Sequence, residues 1–282
     1  MQFGDYRVEV IPDTEFRLDG GAMFGVVPRV LWERVCPTDD LNRVRLNMNC
    51  VFIETPAERI LIETGIGEKW SEKETRMYGI FREKPFAQSL FEITGCRPDD
   101  ITIVVNTHLH FDHAGGNTIG SEPIPQFANA RYFLSRSEFD HANHPHERDR
   151  ASYLPENWEP IGENRQLELK PDSYEVIDGL RMETILGHSK TMQTWRLDRG
   201  GQTLYGFADL VPTRHHLLLP WIMGYDLYPA ETLEFKKKTL PRAIAENWIC
   251  LFYHDFEMPL CRLVEENGRP VAQSASASSP AA

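Results

Sequence analysis

Residues 101–116 read ITIVVNTHLHFDHAGG, an apolar, β-branched run followed at once by His108, His110, Asp112 and His113. The run predicts a buried strand, and the motif after it packs four potential metal ligands into six residues at the strand end. Neutral imidazoles and a carboxylate are the ligand types that a borderline cation such as zinc prefers. A tight loop can aim alternate residues at one cation and the next two at a second, with Gly115 and Gly116 expected to permit the close backbone turn. Histidine is only 10 of 282 residues, and three of them fall here, so a histidine-rich surface loop is a poor account of the stretch. Two cations need more ligands than one loop supplies, so the motif demands further His or Asp residues at later strand ends.

The sequence provides three. His188 follows the apolar run ETILG, Asp209 ends LYGFA, and His254 ends ICLFY with Asp255 directly after it. Each lies where an apolar strand meets a loop, so all can converge with the first loop on one edge of the sheets. The remaining pattern is α/β, in two successive halves. Alternation in YRVEVIPDTEFRLDGG and the runs NCVFIET and RILIETG predict N-terminal strands, with Glu58-Arg59 at a hairpin connection. Phe86–Thr94 has helical spacing and ends at Gly95, after which Pro98-Asp99-Asp100 leads into the buried strand. Residues 130–134 read as a strand, 135–142 as a polar helix, and NHPHERDRASYLPENW as an irregular, substrate-facing insertion. Residues 174–177, 182–186, 194–197 and 203–208 are strand candidates, followed by a helix near 229–246 and a final strand in WICLFYH. A single domain is expected over 1–266, and the small, polar, Pro-containing segment 267–282 is expected to be disordered.

At 282 residues the chain can bury one sizeable core. Its net charge of -12, from 42 acidic and 30 basic residues, argues against a protein that grips nucleic acid or an anionic membrane surface. No stretch approaches the roughly 20 apolar residues of a membrane helix, and the start, MQFGDYRVEV, lacks the pattern of a secretory signal. Cys36, Cys50, Cys96, Cys250 and Cys261 are scattered and odd in number, which indicates neither a disulfide framework nor a thiolate zinc site. A cytoplasmic protein with small buried cysteines is the expectation.

Through the His-x-His-x-Asp-His motif at 108 to 113 and the ordered positions His188, Asp209 and His254, the chain resembles the metallo-β-lactamase superfamily over nearly its whole length. The resemblance implies an αβ/βα four-layer sandwich with two metal ions between the sheet edges. It implies that His108, His110 and His188 bind the first ion, that Asp112, His113 and His254 bind the second, and that Asp209 bridges them. The ions would be zinc, with manganese, iron and cobalt also compatible with this ligand set. Two departures stand out. The usual early Asp-Thr-Gly turn is Glu63-Thr64-Gly65, which is expected to rearrange a hydrogen bond behind the ligands. The usual Gly-His-Thr-Pro-Gly-His turn is Gly187-His188-Ser189-Lys190-Thr191-Met192, which keeps the first His and loses the rest.

In that reading a metal-bridging hydroxide attacks the substrate, and Asp112 handles a proton as the leaving group departs. The stretches ADLVPTRHHLLLPWIMGYDLYPAETLEFKKK and RASYLPENWEP resemble a branch containing quorum-quenching N-acyl homoserine lactonases. The resemblance makes a lactone the leading small-molecule substrate, with phosphotriesters or aryl esters as the alternative. Phe111, Trp158, Trp221, Ile222 and Tyr225 are candidates for an acyl-chain pocket. His216 is a candidate to approach substrate, with His215 facing away or packing structurally. The tyrosine that some lactonases place three residues after the bridging Asp is Pro212 here. His141, His144 and His146 are expected on a solvated lid, and Lys236-Lys237-Lys238 on one exposed helix face. A homodimer is the default for such a chain.

Rival classes fit less well. A di-iron reductase usually carries a glutamate at the second motif position, where this chain has His110, and an attached flavin domain. A binding protein with a relic metal site would have lost ligands. A nuclease would need a basic surface, and a glyoxalase-type thioesterase a C-terminal glutathione-binding region for which the sequence offers no candidate.

Overall fold

The computed structural model describes residues 1–275. Its first half opens with β1 (Gln2–Phe3) and the long β2 (Tyr6–Asp19), then α1 (Gly20–Phe24) and α2 (Arg29–Trp32). β3 (Arg43–Glu54), β4 (Arg59–Ile62), α3 (Glu72–Met77), α4 (Phe86–Thr94) and β5 (Ile103–Val105) lead to α5 (Phe111–Ala114), inside the histidine motif. A small hairpin of β6 (Thr118–Ile119) and β7 (Ile124–Pro125) precedes β8 (Arg131–Ser135), α6 (Arg136–Asn143), α7 (Glu159–Glu163) and β9 (Leu167–Lys170). The second half carries β10 (Ser173–Ile177), β11 (Leu180–Thr184), β12 (Gln193–Arg199), β13 (Gln202–Gly206), α8 (Pro229–Ala245), β14 (Ile249–Leu251), β15 (Leu260–Glu266) and β16 (Arg269–Ser274).

The strands form two seven-stranded mixed sheets, β1-β2-β3-β4-β5-β8-β9 and β10-β11-β12-β13-β14-β15-β16. β4, β5, β8 and β9 are parallel in sequence, as are β13 and β14 across the α8 crossover. The main apolar core is shared by inward side chains of both sheets, among them Val8, Phe16, Leu46 and Phe52 from the first and Met182, Trp195, Leu204 and Leu251 from the second. A second core packs Leu240 and Ala243 of α8 against Tyr205, Trp248, Cys250 and Leu263 on the outer side of sheet two. A third packs Ala142 of α6 with Leu134, Tyr153 and Trp158. Helix, sheet, sheet, helix is the four-layer arrangement expected.

Two expectations change. Within 267–282, residues 269–274 are a strand: Asn267 and Gly268 take φ of 51° and 74°, a two-residue turn that returns β16 along β15. The remainder of the expected tail, 276–282, lies outside the described residues. WICLFYH is also not the last strand, since β15 and β16 follow it and Cys261 and Leu263 alternate inward.

Lys236 is the other correction. It is buried rather than exposed, and its ammonium donates to the carbonyls of Leu218 (2.6 Å), Leu219 (3.2 Å) and Trp221 (2.9 Å). Burial pulls its pKa down to about 7. Lys237 and Lys238 remain on the exposed face. The buried stem and three carbonyl partners tie the 218–221 loop to α8. Lys236→Met should therefore destabilise the fold by about 2 kcal/mol, because it leaves three partly buried carbonyls without their donor. Lys237→Met and Lys238→Met should leave the melting temperature nearly unchanged, and thermal denaturation of the three variants checks the contrast.

Candidate metal centre

Strand β5 delivers Thr107, His108 and His110 to the edge between the sheets, and α5 turns Asp112 and His113 back under them. The glycines behind the motif serve packing rather than unusual backbone angles: a Cβ on Gly115 would lie 2.2 Å from the Ile66 carbonyl oxygen, and one on Gly116 2.2 Å from that of Thr64. The motif thus sits flush on the Glu63-Thr64-Gly65 segment. His188 arrives on the β11–β12 loop, Asp209 on the turn after β13, and His254 after β14, where β3 grips the same segment through Asn49 N–H to Tyr253 O (2.9 Å).

All seven candidate ligands are brought together and buried. One ligand atom each from His108, His110, His188 and Asp209 lies within 4.8 Å of the others, and the same holds for Asp112, His113 and His254. His110 Nδ1 and His188 Nε2 are 3.1 Å apart, close to the roughly 3.4 Å between two nitrogens on one tetrahedral zinc. The carboxylate of Asp209 faces both groups. Its Oδ1 lies 3.1 Å from His113 Nε2 and 3.2 Å from His254 Nε2, while its Oδ2 lies 3.5 Å from His188 Nε2. Asp112 Oδ2 is 3.6 Å from His254 Nε2.

The residues behind this set orient the imidazoles. His188 Nδ1 lies 3.0 Å from Asp226 Oδ1, and Thr232 donates to the other oxygen of that carboxylate at 2.6 Å. His254 Nδ1 faces the Asn47 carbonyl at 3.1 Å, and His108 Nδ1 faces Thr107 Oγ1 at 2.9 Å. In each case the outer nitrogen is engaged and the inner one is left for ligation. The Nε2 atom of His108, whose Nδ1 meets Thr107, is buried without a hydrogen-bond partner, the state of a nitrogen built to hold a cation.

Glu63, where the shorter acid was the usual residue, reaches His113 itself: its Oε1 is 3.3 Å from His113 Nδ1. The same carboxylate accepts from Thr107 N–H and Asn106 Nδ2, so the rearranged contact still orients the His113 ring. The altered turn after His188 is held by Ser189, whose Oγ accepts from the backbone N–H groups of Thr191 and Met192. Glu138, also buried, joins two ligand loops by accepting from Leu109 N–H (2.8 Å) and Thr191 Oγ1 (2.5 Å). Asp226 and Glu138 were not among the residues read from the sequence. Glu138 carried a signal, because Ser135 and Glu138 form a Ser-x-x-Glu helix start, yet its carboxylate turns inward instead of closing a capping box.

The electrostatics fit divalent cations. Burial pushes the His108 and His110 imidazoles well below their ordinary range, an effect enlarged by neighbouring imidazoles. Burial would also depress His113, but Asp209, Glu63 and Asp112 hold it well above. Burial would raise the Asp209 carboxyl, whereas His113, His254 and His188 hold it well below. The imidazoles of His113 and His188 are both held above their ordinary range, so cations that take over from their protons should release them on loading.

A cavity of about 400 Å³ opens onto the ligands, lined on its apolar side by Leu18, Met23, Phe111 and Met223. Of the expected acyl-pocket residues, Phe111 and Tyr225 line it. Trp158 is instead core, Trp221 packs edge-on against Phe24, and Ile222 does not line the cavity. His216 is not brought to the site: its ring stacks on Phe24, its nitrogens meet Thr213 Oγ1 (2.8 Å) and the Met23 carbonyl (2.9 Å), and burial pulls its pKa down to about 3. It acts as a strut beneath the cavity wall. His144 and His146 are exposed, but His141 is paired with Asp149 at 2.8 Å, and Asp149 lines the cavity.

Residues 44–238 match the Metallo-beta-lactamase superfamily, and the chain belongs to that family. An N-acyl homoserine lactonase of Bacillus cereus is 28% identical over 236 residues, covering 77% of this chain and 84% of the relative. A probable metal-dependent hydrolase from Staphylococcus aureus superposes with a TM-score of 0.89 at 28% identity, over 97% of this chain and 99% of that one. AidC, a dizinc quorum-quenching lactonase in complex with a product N-hexanoyl-L-homoserine, has the same fold, with a TM-score of 0.79 at 18% identity over 98% and 96% of the two chains. The protein is a metal-dependent hydrolase with a divalent-metal centre.

Removing an orienting carboxylate should weaken that centre. Asp226→Ala is expected to lower metal affinity about 10- to 100-fold, read by competition with a chromogenic chelator. The His141–Asp149 pair gives a pH signature of its own. Asp149 raises the His141 pKa above 6.5, so the pair stabilises the fold fully below that value and loses the contribution as pH rises through the raised one. His141→Asn should lower the melting temperature more at pH 5.5 than at pH 8.5.

Proposed function

We propose that the protein is a binuclear metal-dependent lactonase that opens the ring of N-acyl homoserine lactones. The observation that carries the binuclear reading is the double-faced Asp209, with Oδ1 toward His113 and His254 and Oδ2 toward His188. In this reading His108, His110 and His188 would hold one divalent ion, expected to be zinc, Asp112, His113 and His254 would hold the second, and Asp209 would serve both. Two bound divalent cations supply an activated water and polarise the carbonyl oxygen under attack.

The chain's own residues do the rest. Asp112 lines the cavity beside His254, where its carboxylate can hold the proton taken from water. As the ring C–O bond breaks, Asp112 returns that proton to the departing alkoxide, and the product is a hydroxy acid. Leu18, Met23, Phe111 and Met223 exclude water and receive an acyl chain. The lactone is favoured by the N-acyl homoserine lactonases among the sequence relatives and by the apolar wall. Pro212, which stands where some lactonases carry a tyrosine, leaves the carbonyl without a phenol from that position.

The test is metal content by elemental analysis together with turnover of an acyl homoserine lactone, an aryl ester, a phosphotriester and a β-lactam. About two metals per chain with lactone turnover is the expected result. Turnover confined to the phosphotriester or aryl ester would replace the substrate. His110→Ala and Asp209→Ala should each reduce turnover by at least about 1,000-fold, while Cys250→Ser, buried on the far side of sheet two, should hydrolyse normally. Full activity in either ligand variant would overturn the ligand assignment.

A further inference from the structure

The cavity over the metal centre is lined by Asp112, Asp149 and Asp209 and by a single cationic side chain other than histidine, Arg148. Its guanidinium donates to the carbonyl oxygen of Gly224 across the mouth of the cavity, and among the described residues no carboxylate pairs with it. The adjacent Asp149 is already engaged by His141. An arginine in so acidic a chain has many carboxylates it could meet, yet this one is aimed over the cavity at a neutral acceptor.

The two sides of that contact differ in firmness. The Gly224 side is fixed: its N–H donates to the Ala22 carbonyl at 2.7 Å, and Lys236 holds the 218–221 carbonyls behind it. Close packing adds to this, since a Cβ on Gly25 would lie 2.6 Å from the Ile222 carbonyl oxygen. The Arg148 side is exposed, as are His144, His146 and Glu147 beside it. A guanidinium has five N–H donors in a planar fork, and the Gly224 contact uses the Nη2 end. The remaining donors are free to take an oxygen of a molecule in the cavity, at no cost in desolvating a competing ion pair.

We propose that Arg148 is a specificity-determining residue that binds an oxygen acceptor on the substrate's side chain, away from the reacting carbonyl. Resting on the lactonase reading, the acceptor is the acyl-amide oxygen next to the lactone ring, with the alkyl part on the apolar wall. Arg148 closes the mouth over such a substrate by exchanging or sharing its Gly224 contact. Binding energy gained there acts on substrate and transition state alike, so it belongs in KM rather than kcat.

The experiment compares N-hexanoyl homoserine lactone with γ-nonalactone, an alkyl lactone without the amide, on the metal-loaded wild type and on Arg148→Met, Arg148→Lys and Arg150→Met. For the amide lactone, Arg148→Met should raise KM about tenfold with kcat within twofold, and Arg148→Lys should recover part of the loss. The alkyl lactone should show no comparable rise, and Arg150→Met, on an exposed neighbour, should behave as wild type with both. Equal effects of Arg148→Met on the two lactones, or no effect on either, would overturn the proposal while leaving the lactonase reading intact. Absence of turnover of both lactones by the wild type would overturn that reading and this one together.

Discussion

A carboxylate in a dry interior is tolerable only where positive charge surrounds it, and Asp209 is placed so that the rest of the site must answer that requirement. Imidazoles from both halves of the chain converge on its two oxygens. Each imidazole is held from behind: His113 by Glu63, His188 by Asp226, His254 by the Asn47 carbonyl. Those partners are themselves fixed by strand ends and by the start of α8. The sandwich architecture serves the same demand, because two sheets packed face to face bring the strand ends at 108, 188, 209 and 254 together along one edge of the sandwich.

The wall of the cavity obeys a second constraint. It is built from α1, the 218–226 loop and the insertion after α6, three segments with little regular structure. Each is tied down by a polar anchor buried beneath it. His216 bonds the Met23 carbonyl of α1, Lys236 gathers three carbonyls of the 218–221 loop, and His141 holds Asp149 of the insertion. The anchors lie outside the reaction, yet they decide how much of the cavity is rigid and which side of its mouth can move.

The residues that cluster at the candidate centre were readable in the sequence because metal binding would demand particular side chains at strand ends, and that chemistry leaves a compact pattern. The orienting residues were harder to read. Asp226 and Glu138 look like a loop acid and a helix-start acid, and only the tertiary packing turns them inward. His216 misled in the opposite direction, since a histidine near a site is as useful for stacking and backbone capping as for chemistry. Lys236 was misjudged because its charge was weighed and its four-carbon stem was not. The β15–β16 hairpin was written in Asn267-Gly268, a strong turn signal, but the small polar residues after it dominated the reading of that segment.

The centre also bears on how the chain stays folded. Its ligands are separated by more than half of the chain, from His108 to His254, and come from different sheets. Cations bound there close that long loop in the native state alone, as a cross-link would, and restrict the two sheets from parting. The five cysteines are all free, so among the described residues a loaded metal centre would act as the one covalent-like staple between the sheets.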